Sequence, residues 1–384
     1  MKLQLSSVLL AVVGLFASYS AASITAEEFQ EKTDLGFHLL SLEEDAPPVW
    51  RTEAETEELI AQGANFFDLT YTYTPGEEDN ARVSSDAAEF TAAATYAAPS
   101  HQAELRPIIA QVSLANTQSL LNNLTSFNNR YYKAASGQQA SVWIRDTIAN
   151  IIKTYPASGA SVSLYTHSWT QNSIVAKIPG KTSGPVTILG SHMDSIGGGS
   201  VSTSRAPGAD DDGSGSVNLI ESFRVLLQAG FKPTTPVEFH WYAGEEAGLL
   251  GSQAIAKAYK SAKVEVKGML QLDMTAYVKP GTSPVVALMP DYTDSGLTAF
   301  VGSLVDEYTS LPWVINAKCG YGCSDHASWY AQGYPTALPF EGLFSNINPK
   351  IHTSGDTTSV AGFSWTHTLE YTKIAAAFAY ELAI

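Results

Sequence analysis

The chain has 384 residues, of which 45% are hydrophobic and 16% are charged. A chain of this length and composition can bury a large core, which excludes a wholly disordered protein and a small domain held together by disulfide bonds. Its formal net charge of −16 at pH 7 would repel a phosphate backbone, so no nucleic-acid partner is expected.

The negative charge is concentrated in the N-terminal quarter. Residues 1–90 hold 4 lysines and arginines against 17 acidic residues, whereas residues 91–384 hold 18 against 21. Such asymmetry suggests segments with separate roles. We interpret residues 23–95 as an acidic pro-segment, removed at a processing site near residues 80–100. The alternative is an acidic region that stays attached.

The first 22 residues have the features of a secretory signal peptide. Lys2 precedes an apolar run from Val8 to Phe16, and the sequence Ala-Ser-Tyr-Ser-Ala-Ala at 17–22 offers small residues for cleavage. The run is too short to span a bilayer, and no later stretch reaches the roughly 18 apolar residues of a membrane helix. We therefore expect a secreted, extracellular protein with no membrane anchor; a buried N-terminal helix is the alternative.

Two cysteines agree with export. Cys319 and Cys323 lie in the sequence Cys-Gly-Tyr-Gly-Cys, and an oxidising compartment would let them pair. The glycines between them favour a tight disulfide loop over two free buried thiols. Because the ring is short, the bond is expected to shape a loop rather than to hold the fold. Asn123 begins an Asn-Leu-Thr sequence and is a candidate glycosylation site.

From about residue 96 the pattern alternates between strands and helices. Helices are predicted at Gln138–Ile152, Ser216–Leu227, Leu249–Tyr259, Leu297–Tyr308 and Leu369–Leu382. Strands are predicted at Ser161–Trp169, Ser173–Ile178, Val186–Leu189, Val237–Tyr242, Val264–Leu272, Val285–Leu288 and Pro335–Phe340. The alternation predicts one α/β domain over residues 96–384, with a mainly parallel central sheet flanked by helices.

Imidazole and carboxylate side chains follow the ends of several predicted strands or lie in nearby loops. They are His192, Asp194, Asp210, Asp211, Asp212, Glu245, Glu246, Asp273 and His352. In an open α/β sheet the ligand crevice lies beyond the carboxyl ends of the strands, so these groups are expected to meet there. Imidazole and carboxylate suit zinc, and carboxylates packed closely repel one another unless cations neutralise them. The pattern predicts a pair of zinc ions.

Six ordered blocks of this region closely resemble the secreted two-zinc leucyl aminopeptidases of bacteria and fungi. The blocks are residues 192–194, 206–215, 243–248, 271–274, 319–326 and 351–353. The resemblance covers about residues 96–384, and the signal and acidic segments also match the layout of the fungal extracellular enzymes. It implies a zinc-exopeptidase-like fold. It also implies a metallo-aminopeptidase that removes leucine or other apolar residues from peptides with a free N-terminus.

The resemblance implies a ligand role for five side chains. His192 and Asp273 would bind one zinc ion, Glu246 and His352 would bind the other, and Asp211 would bridge both. The two ions would share a hydroxide, which attacks the scissile carbonyl.

The resemblance also implies roles away from the metals. Glu245 would act as general base, Asp194 would orient the imidazole of His192, and Tyr321 would help to stabilise the oxyanion. An apolar pocket for the substrate side chain would use Tyr321 together with Met274, Met289, Leu338, Phe340, Phe344 and Ile351. For each of these, a place in the ordinary core is the alternative.

Other candidate residues are expected to be structural. His326 follows the cysteine loop, but both ions already have ligands, and His240 lies within a predicted strand. Asp210 and Asp212 are expected to hold the loop that carries Asp211.

Three rival functions stay open. Two are enzymatic: a single-zinc enzyme such as a glutaminyl cyclase, and a two-zinc carboxypeptidase. The third is a catalytically inactive binding module on the same fold. If the protein is the secreted metallo-aminopeptidase that the resemblance implies, we expect a monomer whose partners are peptide substrates and its own pro-segment.

Overall fold

The computed structural model describes residues 24–43, 46–76 and 95–384. The predicted signal peptide, residues 1–22, lies outside these ranges, and so does most of the predicted processing region. Among the helices of the described ranges, none combines the length and the apolar character that a bilayer crossing requires.

The described chain contains alternating helices and strands. The helices are α1 (Ala26–Asp34), α2 (Glu53–Ala61), α3 (Gln102–Ile109), α4 (Leu114–Leu124), α5 (Ala135–Thr154), α6 (Gly213–Gln228), α7 (Leu250–Ser261), α8 (Ser295–Tyr308), α9 (His326–Ala331) and α10 (Trp365–Ala383). The strands are β1 (Phe37–Ser41), β2 (Val49–Thr52), β3 (Phe67–Asp68), β4 (Ser161–Tyr165), β5 (Ser173–Ile178), β6 (Val186–His192), β7 (Val237–Tyr242), β8 (Val266–Gln271), β9 (Val286–Leu288), β10 (Trp313–Ile315), β11 (Thr336–Ala337) and β12 (Pro339–Phe340).

A six-stranded sheet in the order β11-β8-β6-β7-β5-β4 forms the centre of the fold. The pairings from β11 to β7 are parallel, whereas β5 runs antiparallel to both β7 and β4. Every residue of β6 and β7 is buried, as expected for parallel strands covered on both faces. The predicted single α/β domain is confirmed, and its sheet is mixed.

Helices cover both faces of this sheet. On one face, Leu189 of β6 and Phe239 of β7 belong to the largest apolar cluster, together with residues of α5, α6 and α10. On the other face, Ile188 and Tyr242 cluster with Ile255 of α7 and Trp329 of α9. Since adjacent residues of one strand point to opposite faces, this two-sided burial leaves only the sheet edges and strand ends to form a ligand site.

A smaller sheet corrects one predicted strand. The run Pro335–Phe340 is two strands, because β11 pairs with β8 of the central sheet and β12 pairs with β9 of a sheet ordered β10-β9-β12. The chain changes sheets at the buried residue Leu338, whose carbonyl accepts a hydrogen bond from the Met289 amide. A continuous apolar run cannot reveal such a change, since both halves are equally buried.

The acidic N-terminal residues 24–43 and 46–76, here called the cover segment, form a small α/β unit. Its sheet has the order β2-β1-β3, and α2 begins with a capping box formed by Thr52 and Glu55. Leu39 and Phe67 pack against Leu249 and Tyr292 of the main domain. The cover segment is therefore docked on the main domain through apolar contacts.

Candidate active site

Three adjacent parallel strands deliver most of the predicted site residues to one sheet edge. β6 ends at His192, β7 ends three residues before Glu245, and β8 ends two residues before Asp273. Because β8, β6 and β7 are neighbours and parallel, their carboxyl ends meet. The remaining groups come from the loop before α6, which carries Asp211, and from the loop after β12, which carries His352.

One group of three side chains gathers around His192. Its Nε2 atom lies 3.1 Å from Oδ1 of Asp211 and 3.6 Å from Oδ1 of Asp273. All three side chains are at most 8% exposed. Burial lowers the pKa of the His192 imidazole, but the surrounding carboxylates outweigh it and raise the pKa well above the ordinary value.

A second group of three shares Asp211 with the first. His352 Nε2 lies 3.2 Å from Oδ2 of Asp211 and 3.0 Å from Oε2 of Glu246. Asp211 therefore presents one oxygen to each histidine. Burial raises its pKa, but the hydrogen bonds and charges of the two imidazoles prevail and hold the pKa well below the ordinary aspartate value.

The two groups suit metal ions. In each group the ligating atoms lie within 4.8 Å of one another. Buried carboxylates facing one another are costly unless a cation compensates them, and mixed imidazole and carboxylate sets are ligands that zinc accepts. His192 Nδ1 makes no hydrogen bond and lies 3.5 Å from Oδ1 of Asp194, which is long for such a bond. The residues present therefore fit a pair of cations that share Asp211.

Glu245 lies beside these groups and lines the same cavity. Burial raises the pKa of its carboxyl well above the ordinary value, the His192 charge opposes this, and the carboxylates of Asp325, Asp273 and Glu246 raise it further. A carboxyl group with a raised pKa holds a proton more readily than an ordinary glutamate, which suits a group that must both accept and release one.

Two aspartates hold the surrounding backbone in place. Asp194 accepts hydrogen bonds from the amides of Glu245 and Glu246, at 3.0 and 3.2 Å, so it fixes the turn after β7 as well as facing His192. Asp212 caps α6 by accepting from the Gly215 amide at 2.9 Å. It also accepts from the Ser191 hydroxyl and the amides of His192 and Met274.

A buried polar network that the sequence reading missed lies behind Asp211. Asp356 accepts from the amides of Asp210 and Asp211, at 3.2 and 3.1 Å, and Asn348 Nδ2 donates to both Asp210 and Asp356. Burial and the Asp210 charge raise the pKa of Asp356 to about 8. Asp356 lies four residues after His352 in a loop, where that spacing does not bring side chains together, so no signal in the sequence pointed to it.

Arg130 was also missed, and no motif marks it. Its side chain is fully buried and its Nε atom donates to the carbonyl of Met193 at 2.6 Å. Its other nitrogens donate to the carbonyls of Pro207 and Gly208.

The cavity at the site is closed partly by the cover segment. Gly63, Ala64, Asn65 and Phe66 line it together with the residues of both groups. Gly63 lies so close to His352 that an added Cβ would be 2.9 Å from Nδ1 of that ring. The acidic segment thus reaches the candidate metal ligands themselves.

The predicted apolar pocket is one cluster. Met274, Met289, Leu338 and Phe340 are buried together, with Phe344 and Ile351 packed against them. Of the six, Met274 and Ile351 line the cavity itself, and the others pack against them.

The predicted disulfide between Cys319 and Cys323 is present and shapes the loop that carries Tyr321. Tyr321 lines the cavity. Burial and the charges of Glu245, Asp273 and Asp211 raise the pKa of its hydroxyl, which therefore stays protonated.

The remaining predicted positions lie away from this chemistry. His326 is buried against the Asp291 carbonyl, and burial lowers its pKa to about 4. His240 is buried beside Glu238. Asn123 is exposed near the end of α4, where its side chain donates to the Ser119 carbonyl.

A mixed α/β sheet with imidazole and carboxylate groups gathered at the carboxyl ends of its parallel strands is typical of metal-dependent hydrolases. Comparison with known proteins supports the same class of enzyme. The model of "Peptidase family M28" matches residues 173–379. "Leucine aminopeptidase 1" of Coccidioides posadasii (strain C735) is 41% identical over 344 residues, which cover 87% of this chain and 86% of that protein. "Leucine aminopeptidase 1" of Aspergillus clavatus is 42% identical over 344 residues, with the same coverage of both chains.

Solved structures give the same result. The LapA aminopeptidase of Legionella pneumophila matches with a TM-score of 0.79 at 28% identity, covering 90% of this chain and 98% of that chain. This chain belongs to peptidase family M28. It is a zinc-dependent metallo-aminopeptidase, as predicted.

Proposed function

We propose that the protein is an extracellular two-zinc aminopeptidase that removes leucine and other apolar residues from the N-terminus of peptides. The observation that carries the proposal is the position of Asp211 between His192 and His352, with one carboxylate oxygen facing each imidazole. One zinc ion would be held by His192, Asp211 and Asp273, and the other by Asp211, Glu246 and His352. When bound, such ions supply polarisation of the scissile carbonyl and a water of lowered pKa.

Glu245 acts as general base in this proposal. It accepts a proton from the attacking water and delivers it to the leaving amine, which needs a carboxylate that both takes up and releases a proton. Its elevated pKa and its place in the cavity support that role. Asp194 keeps Glu245 in place through its bond to the Glu245 amide.

Tyr321 stabilises the oxyanion. Because its hydroxyl stays protonated and faces the same cavity as Glu245, it is available as a hydrogen-bond donor to the developing negative charge. The carboxylates of the cavity suit the positively charged N-terminal amine of a substrate. Met274 and Ile351 provide the apolar wall that the substrate side chain contacts, supported by Met289, Leu338, Phe340 and Phe344.

The chain is made as a precursor in this proposal. Residues 1–22 direct secretion, and residues 23–95 are removed by processing. The cover segment supports this view, since residues 63–66 line the cavity and would obstruct a peptide that enters it. The mature enzyme would act as a monomer, with a glycan at the exposed Asn123.

The variant Glu245→Gln tests the mechanism. It should lower kcat by about 10²–10⁴-fold while the zinc content stays unchanged, because the amide cannot take up the proton. Asp146→Asn, on an exposed side chain of α5, is the control and should leave both values unchanged. Full activity of Glu245→Gln would remove Glu245 from the mechanism.

Substrates test the reaction class. Leucine p-nitroanilide should be hydrolysed, whereas its N-acetyl derivative should not, since the free amine is part of what the site recognises. Hydrolysis of N-blocked peptides at their C-terminus would indicate a carboxypeptidase. Cyclisation of N-terminal glutamine without hydrolysis would indicate a glutaminyl cyclase.

A further inference from the structure

A single buried arginine connects the two loops on which the proposed metal site depends. Arg130 lies just before α5, far in sequence from both loops, and its side chain is fully buried. Its guanidinium donates to the carbonyl of Met193 at 2.6 Å, to that of Gly208 at 2.9 Å and to that of Pro207. All three guanidinium nitrogens thus donate to backbone carbonyls, which uses the planar fork of donors that a lysine ammonium lacks.

The carbonyls that Arg130 binds belong to the backbone on either side of the site. Met193 is the residue directly after His192. Pro207 and Gly208 lie at the start of the loop that carries Asp211. The guanidinium therefore joins the end of β6 to the Asp211 loop, across which His192 and Asp211 face each other at 3.1 Å.

The cost of burying Arg130 indicates a specific role. Within the described ranges no carboxylate lies at ion-pair distance from its guanidinium, although Asp356, Asp194, Asp212 and Asp211 act on its charge through space. Burying a cation without a direct ionic partner costs desolvation free energy. Three hydrogen bonds to carbonyls only partly offset that cost, so stabilising the fold does not by itself explain this arginine. Its positive charge also offsets the repulsion among these carboxylates.

The loop is shaped around the arginine. Gly208 has φ +51°, and an added Cβ would lie 2.6 Å from Nη2 of Arg130 and 2.5 Å from the Asp211 carbonyl oxygen. The backbone at Gly208 thus packs directly against both the guanidinium and the residue that the two metal groups share. A displacement of the guanidinium would reach Asp211 through this contact.

We infer that Arg130 is a positioning residue that sets the spacing between His192 and Asp211. It touches neither substrate nor the proposed ligand atoms, and it acts through the backbone that presents them. The inference rests on the proposed function, because it assumes that this spacing serves to bind zinc.

Zinc affinity is the measurement that separates positioning from general stability. Metal-free full-length protein is titrated with zinc in competition with a chromophoric chelator, for the wild type, Arg130→Lys and Arg130→Met. Lysine keeps the charge, but its single nitrogen cannot reach all three carbonyls. Arg130→Lys should therefore bind zinc about tenfold or more weakly, as is found when groups that hold metal ligands in place are replaced. Arg130→Met should be weaker still, because it also loses the charge.

The control is Arg224→Lys. Arg224 also uses several donors, to Glu221 and to the Gln111 carbonyl, but none of them reaches a ligand loop. Its zinc affinity should equal that of the wild type. The melting temperature of each metal-free variant is measured in parallel, since a merely structural role would lower it without weakening zinc binding to the folded protein.

The possible results separate the two proposals. Wild-type zinc affinity in folded Arg130→Lys would overturn the inference and leave the proposed function intact. If one of the two Arg130 variants fails to fold, the zinc affinity of the other tests the inference in the same way. If both fail to fold, Arg130 is a requirement for folding and the positioning role is overturned. A wild-type protein that binds no zinc would instead overturn the proposed function.

Discussion

Gly63 of the cover segment packs directly against His352 of the candidate active site. A Cβ at residue 63 would lie 2.9 Å from Nδ1 of the imidazole, closer than real side-chain contacts allow. The acidic segment and one of the proposed zinc ligands are thus in van der Waals contact, with no room for substrate between them. This contact makes the role of the segment testable by small changes.

Gly63→Ala should raise the activity of the unprocessed chain. Overpacking typically costs about 1–3 kcal/mol, so displacement of the loop should raise the ratio of unprocessed to processed activity roughly fivefold or more. The ratio is measured with leucine p-nitroanilide on the same preparation before and after removal of the segment.

Gly36→Ala is the matched control for this change. Both glycines follow the end of a helix and have positive φ, +66° for Gly63 and +78° for Gly36, so the backbone strain is comparable. Around Gly36 nothing lies within 4 Å of an added Cβ. An equal rise in both variants would show that backbone strain, rather than contact with His352, releases the segment.

The docking of the cover segment should weaken as pH rises. His38 Nδ1 lies 2.7 Å from Asp68, and its Nε2 lies 2.8 Å from Glu53, which pairs with Lys133 of the main domain. Burial lowers the pKa of His38, but Asp68 and Glu53 outweigh it, and the pKa is raised above 6.5. Arg51 faces His38 in the pairing of β1 with β2.

The sign of the effect follows from this raised pKa. The charged ring contributes its full stabilisation below pH 6.5, the ordinary value for histidine, and loses it as pH rises through the elevated pKa. The ratio of unprocessed to processed activity should therefore increase as pH rises above 6.5, and it should be higher and flatter in His38→Gln. His101→Gln removes a histidine paired with Glu381 outside the cover segment and serves as control. An unchanged pH profile in His38→Gln would contradict the role of His38.

The strand ends of the site and the aspartates Asp194 and Asp212 that hold them were predictable from the sequence, whereas Arg130 was not. His192, Glu245 and Asp273 follow apolar runs, and the parallel arrangement of those runs brings the three together. Arg130 gave no local signal, because its partners are backbone carbonyls distant in sequence. Long-range hydrogen bonds of this kind depend on the tertiary fold and leave no periodicity in the chain.

The structure of the cover segment was also beyond the sequence reading. Its strands are only two to five residues long and its helices are rich in glutamate, so the segment looks like a solvated acidic region. Its buried apolar residues belong to clusters that they share with the main domain, so its core depends on contacts that are distant in sequence. The short strand β10 was not predicted, and neither were helices α3, α4 and α9.

The specificity of the pocket is tested by Ile351→Asp. A carboxylate in the apolar wall must be desolvated when leucine binds, so kcat/KM for leucine p-nitroanilide should fall about 10–200-fold, and lysine p-nitroanilide should become the better substrate. Ile315→Asp, at an exposed position 55% accessible to solvent, is the control and should leave both substrates unchanged. An unaltered preference in Ile351→Asp would place the substrate side chain elsewhere.

Loss of the disulfide should affect substrate binding more than stability. The bond between Cys319 and Cys323 spans a sequence separation of 4, so its removal frees little chain entropy. The double variant Cys319→Ala, Cys323→Ala should keep nearly the same melting temperature but show a raised KM, because the Tyr321 loop borders the cavity. A large fall in melting temperature with unchanged KM would contradict this view of the loop.

In the proposed site Asp211 joins two zinc ions, and anomalous X-ray scattering from crystals of the zinc-loaded protein tests this arrangement most directly. Data collected above and below the zinc absorption edge should show two peaks, one on each side of the Asp211 carboxylate, with His192 beside one and His352 beside the other. A single peak, or peaks remote from Asp211, would contradict the account.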